Sequence, residues 1–201
     1  MGFALLIAVG TALLMLPSSA VESPMAFVDA LFMSTSASCV TGLSILDVGQ
    51  QLTRFGQMVI LLLIQVGGLG IMTVSTLLLM MIKGRPTLSG HAIIKDTFTY
   101  GEGKQTAFAV LKAIFITAFS IEMVGALCLY LRTAPRVGWS HAAYPAVFHA
   151  VSAFCNAGFC LYRNSFVNYR EDWMINGVLS FLIIIGGIGF VVIADVKNRF
   201  L

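Results

Sequence analysis

Charge is what this chain has least of: Asp, Glu, Lys and Arg together make up 10% of its 201 residues, against about a quarter in soluble domains. That shortage, beside 58% apolar residues, excludes an ordinary soluble fold and points to a membrane protein. A bilayer core about 30 Å thick takes roughly 20 apolar residues per helix, so the length holds about four spans and little else. The four cysteines (Cys39, Cys128, Cys155, Cys160) form no CxxC pair. This argues against a disulfide framework or zinc site and for small buried side chains. No metal ligand set stands out. HExxH, a Ser/His/Asp constellation and paired carboxylates within the apolar runs are all missing, so the chain does not read as an enzyme. A net charge of +3, thinly spread, gives nucleic acid nothing to bind. No Lys or Arg precedes the first apolar run, as a secretory signal would require, and that run reads as a membrane helix.

In chain order, the pattern predicts a span over residues 2–17 stopped by Pro17. A short polar helix over 24–38 follows, opened by Ser23 as cap and Pro24 at the first helical position. Residues 39–43 read as irregular backbone and 55–82 as a second span. A polar connection over 83–105 leads to a third span over 106–131, and residues 132–143 read as a loop. A second short helix over 140–154, irregular backbone over 155–159 and a last span over 174–194 complete the series. The short helices are too polar for lipid and too short to cross it. Irregular backbone at membrane depth is tolerated only where protein buries it or water reaches it.

The chain repeats itself. Phe32, Ser36, Ala37, Cys39 and Gly42 recur as Phe148, Ser152, Ala153, Cys155 and Gly158, each 116 positions later, and Gly67-Gly68-Leu69-Gly70 recurs as Gly186-Gly187-Ile188-Gly189, 119 later. The glycine clusters read as close helix packing or a bend rather than a nucleotide loop, since no strand precedes them. All five lysines fall within 83–112 and 195–201, which the positive-inside rule makes cytoplasmic. The copies are therefore parallel, and both half-helices enter from outside.

A half-helix entering that way brings its partly negative C-terminal end to mid-membrane, where it favours a cation. Beyond it, a glycine-containing stretch can turn carbonyls inward in place of an ion's water shell, as potassium filters do. Neither stretch holds a carboxylate, which favours a monovalent over a divalent cation.

Cys39-Val40-Thr41-Gly42-Leu43 with Gln65 to Gly70, and Phe148 to Phe159 with Gly186 to Phe190, resemble the first two repeats of the Trk/Ktr/HKT superfamily of potassium transporters. The nearest likeness is to the bacterial pore-forming subunits of Trk and Ktr systems. The resemblance implies an all-α membrane protein of two tandem parallel helix, re-entrant pore helix, helix repeats, over 1–82 and 106–194. The backbone of Cys39, Val40, Thr41 and Gly42 and of Cys155, Asn156, Ala157 and Gly158 then coordinates K+. Serine at the first filter glycine goes with sodium, so Gly42 supports potassium. Also implied are four such units per complete polypeptide, homodimerisation, a cytosolic nucleotide-binding regulatory ring, Na+ or H+ as a coupling ion, and a multi-pass location in the plasma membrane. Two repeats are present and a gating loop of the third is missing, so the chain is expected to be an N-terminal fragment, the alternative being that two copies assemble to complete a filter. The competing reading is a secondary transporter of a small solute built on broken helices, disfavoured because those folds often carry inverted repeats.

Single residues carry further expectations. Glu122 at mid-span reads first as hydrogen-bonded structural glue, His149 as a hydrogen-bonding rather than metal-binding side chain, and Asp29 and Asp47 as capping or solvated carboxylates. Asn156 stands equally as part of an ion path or as a pin for its loop. Trp139, Tyr144 and Trp173 read as interface anchors.

Overall fold

A computed structural model describes residues 2–82 and 103–188, with side-chain surroundings for 2–70 and 112–188. The described residues are helical with no strand. The helices are α1 (Gly2–Leu14), α2 (Phe27–Ser38), α3 (Val48–Gln51), α4 (Arg54–Ile82), α5 (Gly103–Val137), α6 (Trp139–Phe154) and α7 (Trp173–Ile188), with a 3-10 turn at Val167–Tyr169. The connection expected over 83–105 lies outside the described residues up to 102, as do 189–194 of the last span and the end at 195–201.

Helices α1, α2 and α4 pack against one another as one group and α5, α6 and α7 as a second, with α4 touching α5 and α6 across the boundary. The two groups are built alike. A β-carbon on Gly10 of α1 would run into Ser34 and Leu63, and one on Gly125 of α5 into Leu182. Close approach at these glycines lets the neighbouring helices sit flush.

Three boundaries depart from the sequence reading. Helix α1 ends at Leu14, short of Pro17, because the residues ahead of a proline are pushed out of helical geometry. Helix α2 starts at Phe27, with Ala26 as an extended cap that makes no side-chain bond. The Ser23-Pro24 signal is thus not used, and Asp29 in the first turn is what complements the helix dipole. Helix α5 runs on to Val137 through the stretch expected to be loop from 132. Pro135 sits inside its last turns, where Thr133 Oγ donates to the Leu129 carbonyl and Arg132 and Arg136 both reach Asp172, at 2.9 and 3.1 Å. Gly138, at φ +91°, makes the turn into α6.

Lys112–Val137 is long and apolar enough to cross a membrane, and Gly2–Leu14, Arg54–Gly70 and Trp173–Ile188 are shorter apolar helices. Their outward faces are greasy: Val124 is 62% exposed, Phe181 and Ile184 59% each. Such surface suits lipid rather than water. Inside, Leu14, Met33, Ile60, Ile64, Phe148, Phe154 and Leu182 form a continuous core. The C-terminal halves of α2 and α6 sink into it.

Candidate functional site: two matched loops at the ends of α2 and α6

Both short helices end in the same way. The amides of Val40 and Thr41 donate to the carbonyls of Ala37 and Ser36 at 3.2 and 2.9 Å, and those of Asn156 and Ala157 to Ala153 and Ser152 at 3.0 and 2.8 Å. This pairing of the first two post-helical amides with the last-turn carbonyls is a Schellman cap. It requires a left-handed residue just past the helix. Val40 takes that role at φ +52° and Asn156 at φ +58°. Asn tolerates the conformation, whereas a β-branched residue resists it at a cost of about 1–2 kcal/mol. A second left-handed residue follows in each loop, Gly42 at φ +81° and Gly158 at φ +73°.

The following residues are tied down by the helices they leave. Ser36 Oγ donates to the Leu43 carbonyl at 2.6 Å and Ser152 Oγ to the Phe159 carbonyl at 2.7 Å. Each loop is thus closed by a buried hydroxyl that lies on the last turns of its own helix. The role of these serines went unread in the sequence, although their recurrence at 116 positions was the signal that could have found it.

The loops meet. A β-carbon on Gly42 would lie 2.6 Å from the Ala157 carbonyl oxygen and 3.5 Å from the Gly158 Cα, and one on Gly158 would lie 3.5 Å from the Gly42 Cα. At Gly42 a side chain would force the Ala157 carbonyl to move, whereas at Gly158 a β-carbon would make an ordinary contact. All eight residues singled out in the sequence, Cys39 to Gly42 and Cys155 to Gly158, therefore belong to two touching segments. None of them carries a charge, and the partial negative ends of α2 and α6 point at them.

Glycines of the long helices make room for these ends. A β-carbon on Gly67 of α4 would overlap the Ser38 carbonyl, and one on Gly186 of α7 the Phe154 carbonyl. Within the clusters at 67–70 and 186–187, Gly67 and Gly186 thus serve close packing. Gly68 does the same for Cys155, whose Sγ would sit 2.8 Å from an added β-carbon. Ser38 Oγ is buried without a partner at the end of α2.

The remaining polar side chains have mostly structural work. With its amide suitably turned, Asn156 donates to the Ile183 carbonyl at 3.3 Å and accepts from the Gly187 amide at 3.1 Å. It pins its loop to α7 by standing between two groups one helical turn apart. His149 Nε2 accepts from the Leu161 amide at 3.0 Å and lies 3.3 Å from Cys160 Sγ. Asp47 caps α3 through the Gly49 and Gln50 amides at 3.1 and 3.2 Å. Glu122 accepts from Gln65 Nε2 at 3.0 Å through both oxygens. Trp139 and Trp173 are exposed, but Tyr144 is half-buried, its ring 4.2 Å from the Arg54 guanidinium carbon.

Helices with apolar outer faces beside two touching non-helical segments suit a membrane protein in which such backbone is buried by protein or lines a wet path. The chain belongs to the TrkH family of cation transport proteins, which matches it over residues 3–199. It is 43% identical over 202 residues to the Ktr system potassium uptake protein B of Bacillus subtilis (strain 168), covering 98% of this chain and 44% of that protein. It is 40% identical over 185 residues to the Ktr system potassium uptake protein B of Vibrio alginolyticus, covering 92% of this chain and 40% of that one. To the potassium/sodium uptake protein NtpJ of Enterococcus hirae it is 38% identical over 201 residues, covering 98% of this chain and 44% of the relative. The chain thus spans less than half the length of these relatives.

Proposed function

We propose that this chain supplies two of the units that line the selectivity filter of a potassium uptake protein in the plasma membrane. Each unit is read as a span, a re-entrant pore helix and a second span: α1, α2 and α4 in the first, α5, α6 and α7 in the second. The backbone of Cys39 to Gly42 and of Cys155 to Gly158 contributes carbonyl oxygens to a dehydrated K+. The observation that carries this reading is the contact of Gly42 with Ala157 and Gly158, which sets two matching helix ends side by side. Neutral dipoles and helix C-termini there suit a monovalent cation. The names of the relatives, two for potassium uptake and one for potassium and sodium, agree with that ion class. Two further units of the same kind would complete the ring. A homodimer on a cytosolic nucleotide-binding ring, and coupling to Na+ or H+, follow from the family resemblance for the complete protein.

Gly42→Ser in the complete protein tests the assignment. The new side chain meets the Ala157 carbonyl, so the filter strands must shift, and discrimination of K+ over Na+ in proteoliposome uptake should fall about tenfold or more, the scale of a kcal/mol or two at the site. Unchanged discrimination would remove the filter assignment.

A further inference from the structure

The two units agree down to paired left-handed residues, so a place where their polar chemistry diverges is not demanded by the shared fold. With Gly10 against Leu63 matched to Gly125 against Leu182, Glu122 of α5 corresponds to Ile7 of α1. The carboxyl belongs to the second unit alone. It is 3% exposed in a span where an ionisable group is costly. Its partners come from two other elements. Gln65 of α4 donates to both oxygens at 3.0 Å, and Cys155, which caps α6 and begins the second loop, places Sγ 3.9 Å from Oε1. A thiol is a weak donor, but this one is also seated on Gly68, one turn along α4 from Gln65, where a β-carbon would come within 2.8 Å of the sulfur. The first unit therefore holds the thiol by shape and holds the carboxyl by a hydrogen bond.

We propose that Glu122 is a positioning residue for the second filter strand: anchored to the first unit through Gln65, it fixes Cys155 and so the register in which Gly158 stands beside Gly42. This rests on the filter reading of 155–158. Glu122 touches no ion and acts through the main chain of Cys155. Simple glue between α4 and α5 would affect stability alone, whereas a group that sets the strand's register must affect ion discrimination.

The test uses the complete protein in proteoliposomes, with K+ and Na+ uptake compared and folded protein checked by gel filtration. Glu122→Ala should lower K+/Na+ discrimination about tenfold, and the double variant with Cys155→Ala should be no worse than Glu122→Ala, since residues of one network are not additive. Glu122→Gln, which keeps an acceptor for both partners, should restore discrimination to within about twofold of the parent. Should Glu122→Ala fail to fold, Gln65→Ala reports on the same anchor and should lower discrimination in the same direction. Gly158→Ser is the control for the filter reading. If it alters discrimination while the Glu122, Gln65 and Cys155 variants change only thermal stability, the positioning role is overturned and the filter stands. If Gly158→Ser also leaves discrimination intact, both fall together.

Discussion

Gly42 and Gly158 stand against each other, and Gly42 has no room for a side chain: a β-carbon on it would lie 2.6 Å from the Ala157 carbonyl oxygen, while one on Gly158 would be in ordinary contact, 3.5 Å from the Gly42 Cα. They are separated by 116 positions in sequence, yet each ends the left-handed pair that follows its own half-helix. The arrangement depends on devices that can be removed singly.

The hydroxyls of Ser36 and Ser152 are the first of these. Ser36→Ala leaves the Leu43 carbonyl without its donor and Ser152→Ala does the same to the Phe159 carbonyl. Ser152→Ala, which strands a buried acceptor, should lower stability by about 1–3 kcal/mol, and Ser36→Ala, whose acceptor Leu43 is exposed, by about 0.5–1.5 kcal/mol, each with a matching drop in the thermal midpoint of detergent-purified protein. Threonine at either position should recover most of the loss, since it keeps the hydroxyl.

Space for backbone is the second. Gly67→Ala and Gly186→Ala drive a methyl into the carbonyls of Ser38 and Phe154, groups that cannot swing aside as a long side chain can. Overpacking of this kind costs about 1–3 kcal/mol or more, and the yield of folded protein should fall sharply. Gly177→Ala on α7 is the counter-case: nothing lies within 4 Å of its added β-carbon, and the gain in helix propensity, about 1 kcal/mol, should leave it neutral or more stable. Gel filtration and thermal melting of the three variants distinguish these outcomes.

Asp172 fastens the end of α5 to the start of α7. Burial pushes its carboxyl up, but the Ile175 amide and the guanidiniums of Arg132 and Arg136 outweigh that and leave it below the ordinary carboxylate value of 3.8. A carboxyl with a depressed folded-state pKa adds stability that is complete above its unfolded value and is lost as the pH falls through the folded one. The parent protein should therefore lose more thermal stability than Asp172→Asn does as the buffer is taken from about pH 6 down to about pH 3. At neutral pH the variant should already melt lower, and its remaining pH dependence should be flatter.

The parts of the fold that were legible in the sequence are those set by local chemistry or by repetition. Helices α4 and α6 lie within a residue or two of where the apolar run and the 140–154 segment put them, and the paired motifs led to the residues that turn out to touch. What escaped depends on partners distant in sequence. Helix α5 continues past Arg132 because Asp172, forty positions later, holds its last turns. The start of α2 passes over Ser23 and Pro24, while further along the helix docking on α1, where Ser34 Oγ donates to the Ile7 carbonyl at 2.8 Å, is a contact no local signal announces. Glu122 is conspicuous in the sequence, but its partner Gln65 lies 57 positions away and nothing in a linear reading joins them. Val40 was invisible as a strained residue, since a β-branched side chain gives no hint of a left-handed backbone.

The most direct test of the central claim is to locate the ion. Crystals of the complete protein grown in K+ and exchanged into Rb+ should give anomalous density on the axis between the segments at Cys39 to Gly42 and Cys155 to Gly158, within coordinating distance of their backbone oxygens. Rubidium density confined to other parts of the protein, with these two segments empty, would contradict the account.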